Sequence, residues 1–196
     1  MKKMYLIALL WCAIAHAQEK TNPILFLDGS GGYAIGKIEG PMLNVGLHYQ
    51  HKNDLFTLRY QYVSGDDIGI LAPYPFYELF RIDEEINEYA VLYGKRYIYD
   101  NSALSFSLGA GYIDHKVASA DNSRGYEHDG NIGLPFEVNF KWFKREKAPY
   151  RIYGVLPVGG KTSFGNSFGF KLSGAVSKTS YIGIGLCFGI GYHKEY

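Results

Sequence analysis

This chain of 196 residues has little cysteine and little net charge. Of its two cysteines, Cys12 lies among the first 17 residues, so a mature chain that retains only Cys187 has no internal disulfide. A formal net charge of +1 argues against nucleic-acid binding, which normally needs a basic excess. The mean hydropathy of −0.13 argues against a bundle of transmembrane helices, each of which needs about 20 consecutive apolar residues.

Glycine and aromatic residues, by contrast, are abundant, with 24 Gly, 18 Tyr and 12 Phe. Because glycine in a helix interior costs roughly 1 kcal/mol relative to alanine, this composition favours β-structure. The length suits one domain of ordinary size better than two.

Residues 1–17 have the pattern of a secretory signal peptide. Two lysines precede an apolar run of twelve residues at 4–15, and Ala-His-Ala at 15–17 supplies a cleavage site before Gln18. The run is shorter than the roughly 20 residues that span a bilayer as a helix. We therefore predict export from a bacterial cytoplasm and a mature domain at 18–196. Its 18 basic residues (20 minus two lysines) and 19 acidic residues give a net charge near −1.

The mature sequence alternates apolar with small or polar residues in segments of about ten, separated by polar turns. From Leu43 to Tyr49, for example, every second residue is large and apolar. A period of two is typical of β-strands, whose side chains point alternately to opposite faces. The eight strands that we predict cover residues 24–36, 42–52, 55–64, 86–98, 103–114, 131–143, 166–177 and 180–193.

Two architectures produce such alternation. A soluble β-sandwich or lipocalin-like barrel points its apolar face inward, whereas an outer-membrane barrel points that face at lipid. The sequence favours the second, because the apolar faces carry no central charge and the opposite faces are rich in Gly and Ser. Tyrosines also cluster toward strand ends, as interfacial girdles require. We predict an all-β fold, an eight-stranded antiparallel up-and-down transmembrane β-barrel with a lipid-facing apolar exterior.

Loop lengths predict the orientation of this barrel. An outer-membrane barrel has an even number of strands, with both termini in the periplasm. The short turns at 52–54 and 99–102 are then periplasmic. Long outer loops are predicted at Gly65–Glu85 and His115–Gly130.

The segment Lys144–Gly165 is unusual because it is long and falls where a short periplasmic turn belongs. Arg151–Val158 within it could form a ninth strand, and Gly69–Phe80 would then have to supply a tenth. Prolines weaken both candidates. We therefore expect eight strands and a structured periplasmic excursion, with ten strands as the alternative.

Three stretches carry a resemblance to a known family: GYAIG, NVGLHYQHKNDLFTLRYQY and SFGFKLSGAVSKTSYIGIGLCFGIGY. They resemble small outer-membrane β-barrel proteins of the Bacteroidetes type, whose last strand alternates apolar residues and ends in an aromatic one. Phe188, Tyr192 and Tyr196 share one face here. The resemblance implies export through the periplasm, handling by periplasmic chaperones, and insertion into the bacterial outer membrane by the barrel-assembly machinery. It implies fold and location, and no activity.

Five charged residues fall on predicted interior faces: Arg59, Glu88, Arg96, Glu137 and Lys141. Because a buried unpaired charge is costly, we expect them to form paired ladders across the lumen or to meet water. Eight strands leave just enough room for side chains, which favours a structural charge network in a filled lumen. A narrow pore or a ligand-binding interior is the alternative.

The sequence identifies no catalytic, cofactor-binding or metal-binding residues. Its histidines lack metal-ligand spacing, although His115 with Asp114, or His128 with its two acidic neighbours, could chelate weakly. A lipid A-modifying enzyme would need a nucleophile beside a base such as His48, which could face serines of neighbouring strands. Aromatic residues in the loop at 65–85 are of the kind enriched at binding surfaces.

We therefore predict a non-enzymatic, monomeric outer-membrane barrel with a structural or surface-binding role. Its expected surroundings are outer-membrane lipid and lipopolysaccharide, and we expect neither a cofactor nor a nucleic-acid partner. The alternatives are a lipid A-modifying enzyme and a narrow pore for small solutes.

Overall fold

The structure is a computed structural model of the whole chain. It describes residues 24–65, 84–118, 126–143, 149–152, 156–161 and 164–192. The predicted signal peptide lies outside these residues, as does nearly all of the predicted outer loop at 65–85. Within the described ranges, no helix is long and apolar enough to cross a membrane.

Ten strands follow one another along the described part of the chain, and eight of them form the barrel. The barrel strands are β1 (Ile24–Gly36), β2 (Gly40–His51), β3 (Asp54–Gly65), β4 (Glu84–Ile98), β5 (Ser102–Ala118), β6 (Tyr126–Phe143), β9 (Phe164–Val176) and β10 (Tyr181–Tyr192). The other two are β7 (Pro149–Ile152) and β8 (Leu156–Lys161), which pair only with each other among the described strands.

The barrel closes in the order β1-β10-β9-β6-β5-β4-β3-β2, and every neighbouring pair is antiparallel. The prediction of an eight-stranded antiparallel barrel is confirmed. Ile24 and Tyr192 lie at one end, here called the terminal end, together with the turns after β2 and β4 and the β7–β8 hairpin. The opposite end, called the loop end, carries the turns after β1 and β9 and the connections at 66–83 and 119–125.

Two predicted boundaries are corrected at the loop end. The loop expected at His115–Gly130 is shorter, because β5 and β6 pair as far as Ala118 opposite Tyr126. His115 and His128 therefore lie on strands. The prediction ended these strands where apolar alternation stops, whereas backbone pairing continues for several residues with polar and charged side chains.

Apolar side chains cover the outside of the barrel. Val91 is 62% exposed and Ile132 is 82% exposed, and every barrel strand contributes exposed apolar residues of this kind. Aromatic rings pair between strands, for example Tyr60 with Tyr89, whose ring centroids lie 5.2 Å apart. A water-exposed surface of this size would be strongly unfavourable, so the exterior has the chemistry of a lipid-facing wall.

Small residues let the strands approach closely on the inner side. A Cβ atom placed on Gly94 would lie 2.0 Å from the backbone oxygen of Phe106 on β5. A Cβ atom on Gly109 would lie 1.9 Å from the backbone oxygen of Val91 on β4. Both glycines face the lumen, so the Gly-rich inner face permits the strong coiling that a narrow barrel requires.

Candidate functional site

Buried charged side chains fill the middle of the lumen, and Asp28 on β1 connects three of them. Lys171 Nζ on β9 donates a 2.8 Å hydrogen bond to Asp28 Oδ1. Lys141 Nζ on β6 donates to Asp28 Oδ2. His48 Nε2 on β2 lies 3.0 Å from the same oxygen, in contact but outside hydrogen-bond geometry. One carboxylate thus joins three other strands across the lumen.

A second group is centred on Arg59 of β3. Its Nε and Nη2 atoms donate to Glu88 Oε1 on β4 at 3.0 and 2.5 Å. Its guanidinium also reaches the opposite wall, where it donates to the backbone oxygens of Phe136 at 2.8 Å and Gly174 at 3.3 Å. Tyr181 completes the group, since its hydroxyl donates to the other Glu88 oxygen at 2.5 Å.

Glu137 on β6 lies between the two groups. Its Oε2 atom is 3.6 Å from Arg59 Nη1 and 3.5 Å from Lys171 Nζ, which are electrostatic contacts rather than hydrogen bonds. Its Oε1 atom accepts a 2.6 Å hydrogen bond from Asn139 Nδ2. We call the whole set the lumen network, and its members are Asp28, Arg59, Glu88, Glu137, Lys141 and Lys171.

The charges of the lumen network cancel. It holds three cationic and three anionic side chains, and each carboxylate lies within 4 Å of a cation. All six residues are almost completely buried. A buried ion is tolerated only when it is paired and hydrogen-bonded. The equal number of cationic and anionic side chains therefore allows these groups to be buried inside the barrel.

An apolar layer closes each side of the lumen network. At the loop end the layer consists of Ala34, Ile38, Met42, Val63, Ile86, Ile113, Ala175 and Tyr181. At the terminal end Ile24, Phe26 and Leu55 form a smaller layer against Ile98. The Phe26 ring stacks on His48 with 4.4 Å between centroids, and the Arg96 guanidinium lies 4.6 Å from the Phe26 centroid. The lumen network therefore lies between two groups of buried apolar side chains.

The structure places all five sequence-predicted charges in the lumen but does not bring them into one network. Arg59, Glu88, Glu137 and Lys141 belong to the lumen network. Arg96 lies nearer the terminal end, where its Nη1 atom donates to Gln50 Oε1 at 2.9 Å.

Two members of the lumen network, Asp28 and Lys171, are missing from the sequence-predicted set. Lys171 lies on an interior face that the alternation of β9 already identifies. Asp28 has the same inward parity on β1, with Leu25 and Leu27 outward, but glycines obscure the pattern after it. The alternation of inward and outward positions along β1 and β9 would therefore have identified both residues from the sequence.

His48 does not face a serine as the enzyme alternative expected. Its Nδ1 atom lies 2.8 Å from Thr57 Oγ1, and its other ring nitrogen faces Asp28. A hydroxyl, an imidazole and a carboxylate in this order resemble a nucleophile, its base and an orienting group. However, all three side chains are buried between the lumen network and the Phe26 layer. A lipid substrate has no route to this hydroxyl through the described side chains.

Each loop-end histidine contacts a carboxylate on a neighbouring strand. His115 Nε2 on β5 lies 2.6 Å from Glu84 Oε1 on β4, whereas Asp114 on β5 lies 3.2 Å from His128 Nδ1 on β6. Lys116 Nζ donates to a Glu85 oxygen at 2.7 Å, and this bond is the main reason that the pKa of Lys116 is raised. Within the described ranges, no three metal-ligating side chains come together.

Comparison with known proteins identifies the fold but no family. No family model matches the sequence, and no curated protein matches it. The N-terminal β-barrel domain of Pseudomonas aeruginosa OprF is similar in structure, with a TM-score of 0.55 and 9% identity, over 88% of this chain and 100% of that one. Neisserial surface protein A is similar with a TM-score of 0.52 and 10% identity, over 88% and 97%. The fold therefore matches eight-stranded outer-membrane barrels.

Proposed function

We propose that this chain is an exported bacterial outer-membrane protein with a non-enzymatic role, either structural or in surface binding. The barrel architecture and its apolar exterior support the location. The sequence signal at residues 1–17 supports export. In this proposal the chain is a monomer that contacts lipopolysaccharide and phospholipid, and periplasmic chaperones and the barrel-assembly machinery deliver it.

The orientation follows from the strand count. An even-stranded outer-membrane barrel has both termini in the periplasm. The terminal end then faces the periplasm, and the loop end, with the connections at 66–83 and 119–125, faces outward. Any surface-binding role belongs to the loop end.

One observation carries the non-conducting, structural part of the proposal: the lumen is filled by a neutral charge network between two apolar layers. An ion that entered would have to displace an apolar layer and then compete with six mutually paired charges. Since eight strands leave room for little more than side chains, the buried interior serves to hold the wall together. The same burial argues against acyl transfer at His48.

Electrophoresis and conductance measurements test the proposal. Membrane fractions of expressing cells should contain a band whose mobility changes on boiling, as expected of a closed barrel. Recovery of the protein wholly in the soluble periplasmic fraction would contradict the location. The refolded barrel in a planar bilayer should give no stable conductance, and a steady single-channel current would overturn the filled lumen.

A matched variant shows whether the current assay responds to lumen filling. Replacing Arg59 and Glu88 with glycine removes one cation and one anion, so the net charge is unchanged while the lumen loses two large side chains. If these two side chains block the ion path, the double variant should conduct where the parent does not. No conductance from either protein would show that the remaining lumen side chains are sufficient to block ions.

A further inference from the structure

Strand β6 extends beyond its neighbour β9 at the loop end of the barrel. It begins at Tyr126, whereas its pairing with β9 begins only at Leu134, which lies opposite Val176. Among the described strands, residues 126–133 pair with β5 alone. This stretch of β6 therefore has one open side, which we call the β6 edge.

Backbone hydrogen-bonding groups point out of the β6 edge at every second residue. Phe143 donates its backbone N–H to the backbone oxygen of Asn101, in the turn before β5, and the β5–β6 register continues from there without a shift. The odd-numbered residues of β6 therefore face β5, and the even-numbered residues direct their N–H and C=O groups away from it. On the β6 edge these include Tyr126, His128 and Gly130. Such open groups are a template for a further strand.

The turn after β9 limits the length of the β6 edge. A Cβ atom on Gly133 would lie 3.0 Å from the Cβ atom of Ser177 in that turn, so this end of the stretch is already occupied. Residues 126–131 remain, and six extended residues span about 20 Å. Asn131 lies at the base of this stretch, and both polar atoms of its side-chain amide are buried without a hydrogen-bond partner among the described residues. An added strand would bring polar groups to this amide.

The β6 edge is acidic. Residues 126–133 contain Glu127 and Asp129 and no lysine or arginine. Both acidic residues are exposed, and alternation places them on the same side of the sheet as Glu137. Lys178, in the turn after β9, has its Nζ atom 3.9 Å from Asp129 Oδ2. A basic side chain beside this edge therefore already reaches one of the two carboxylates, and a partner strand of the same charge would complement both.

We propose that the β6 edge binds an extended, basic polypeptide segment from outside the cell by strand addition. The inference rests on the proposed orientation of the barrel, in which the loop end faces outward. An antiparallel partner, which is the more stable arrangement, would place basic side chains opposite Asp129 and Glu127, two residues apart in its own sequence. The backbone hydrogen bonds hold the segment, and the two charge pairs select its sequence.

Charge disfavours the other strands that could add to this edge. In a second copy of the chain paired edge to edge, Glu127 and Asp129 of the two copies would lie opposite each other, and like charges directly opposite are destabilising. Segment 66–83 of the same chain contains four acidic residues and one basic residue. A basic segment of another polypeptide is therefore the occupant that the edge favours.

Amide hydrogen exchange of the mature chain, residues 18–196, tests the proposal. The isotope-labelled protein in phospholipid nanodiscs is measured by NMR alone, with the peptide TVKVKT, and with its acidic counterpart TVEVET. In the free protein, the amides of His128 and Gly130 should exchange fast, whereas that of Asp129, which faces β5, should exchange slowly. Saturating TVKVKT should slow exchange at His128 and Gly130 by about tenfold or more and leave Asp129 unchanged. TVEVET should bind at least about tenfold more weakly.

Two variants and a matched control separate strand addition from general charge attraction. His128→Pro removes an edge N–H but no backbone bond to β5, and it should abolish binding of TVKVKT. Asp129→Lys replaces one attraction by a repulsion and should weaken binding of TVKVKT about fivefold. Glu39→Lys makes the same change of charge in the exposed turn after β1 and should leave binding unchanged. Equal binding of the two peptides, or equal effects of Asp129→Lys and Glu39→Lys, would overturn the proposal.

The amides of the free protein give a further decisive outcome. If His128 and Gly130 are already protected without peptide, another segment of this chain or a second copy covers the β6 edge, and the proposal is wrong. Barrel formation is scored separately by the mobility shift on boiling. A folded barrel whose edge amides do not respond to TVKVKT refutes strand addition and leaves the proposed function intact. A chain that never inserts into a membrane refutes the proposed function itself.

Discussion

Removal of the Arg59 guanidinium gives the sharpest test of the lumen network. Arg59→Met keeps much of the side-chain volume. It changes the net charge of the lumen network from zero to −1 and leaves Glu88 without its cation. It also removes the donor to two backbone oxygens on the opposite wall. Breaking a buried ion pair by deleting one partner costs about 3–5 kcal/mol, so we expect the free energy of unfolding to fall by that amount.

Restoring the charge balance should recover most of this loss. In the double variant Arg59→Met with Glu88→Gln the net charge of the lumen network returns to zero. Replacing a whole buried ion pair by uncharged groups often changes the free energy of unfolding little. Unfolding is measured in vesicles by urea titration, with the mobility shift on boiling as the readout. Lys95→Met is the control, because its pair with Asp54 is at the surface, with side chains 40% and 33% exposed, and we expect a change of at most about 1 kcal/mol there. If the double variant is as unstable as the single one, charge balance is not what the network contributes.

Three further predictions concern other parts of the barrel. Asp28→Asn should destabilise by about 3–5 kcal/mol in the same urea titration, and adding Lys141→Met should reverse most of the loss; additive losses would contradict a shared network. Val91→Arg in the middle of the apolar exterior should lower the free energy of unfolding by about 2–4 kcal/mol, whereas Ile132→Arg near the loop end should lower it by about 0–1 kcal/mol. Equal losses in the two variants would show that depth in the lipid does not matter. His48→Ala should leave lipid A mass spectra unchanged, and altered acylation would revive the enzyme alternative.

Much of the barrel wall could be predicted from the sequence because the strand period is two. Alternation predicts whether a residue faces lipid or lumen, and Arg59, Glu137 and Lys141 are buried inside the barrel. The same reasoning failed at strand ends, since β5 and β6 keep pairing beyond the apolar residues. Nothing in the apolar pattern signals where backbone hydrogen bonding stops.

Contacts inside the lumen could not be predicted. Alternation along a strand shows which side of the sheet a residue faces, but it does not show which residues of other strands lie at the same level along the barrel axis. Arg96 faces inward like Arg59, but it lies two residues from the end of β4, near the terminal end and beside Gln50. Lys171 on β9 contacts Asp28 on β1 because β10 pairs with both of these strands and so closes the barrel. Which cation pairs with which carboxylate depends on the shear of the closed wall, a property of all eight strands together.

The seam between β1 and β10 has a consequence for how the chain folds. Leu25 pairs with Tyr192, so the first strand has one of its two neighbours only once the last strand has been made. Asp28 likewise receives one of its two cations, Lys171, from 143 residues downstream. Contacts at such sequence separation make folding slow. A sheet without β10 would have two open edges, so the pairing of β10 with β1 and β9 is the step that closes the barrel.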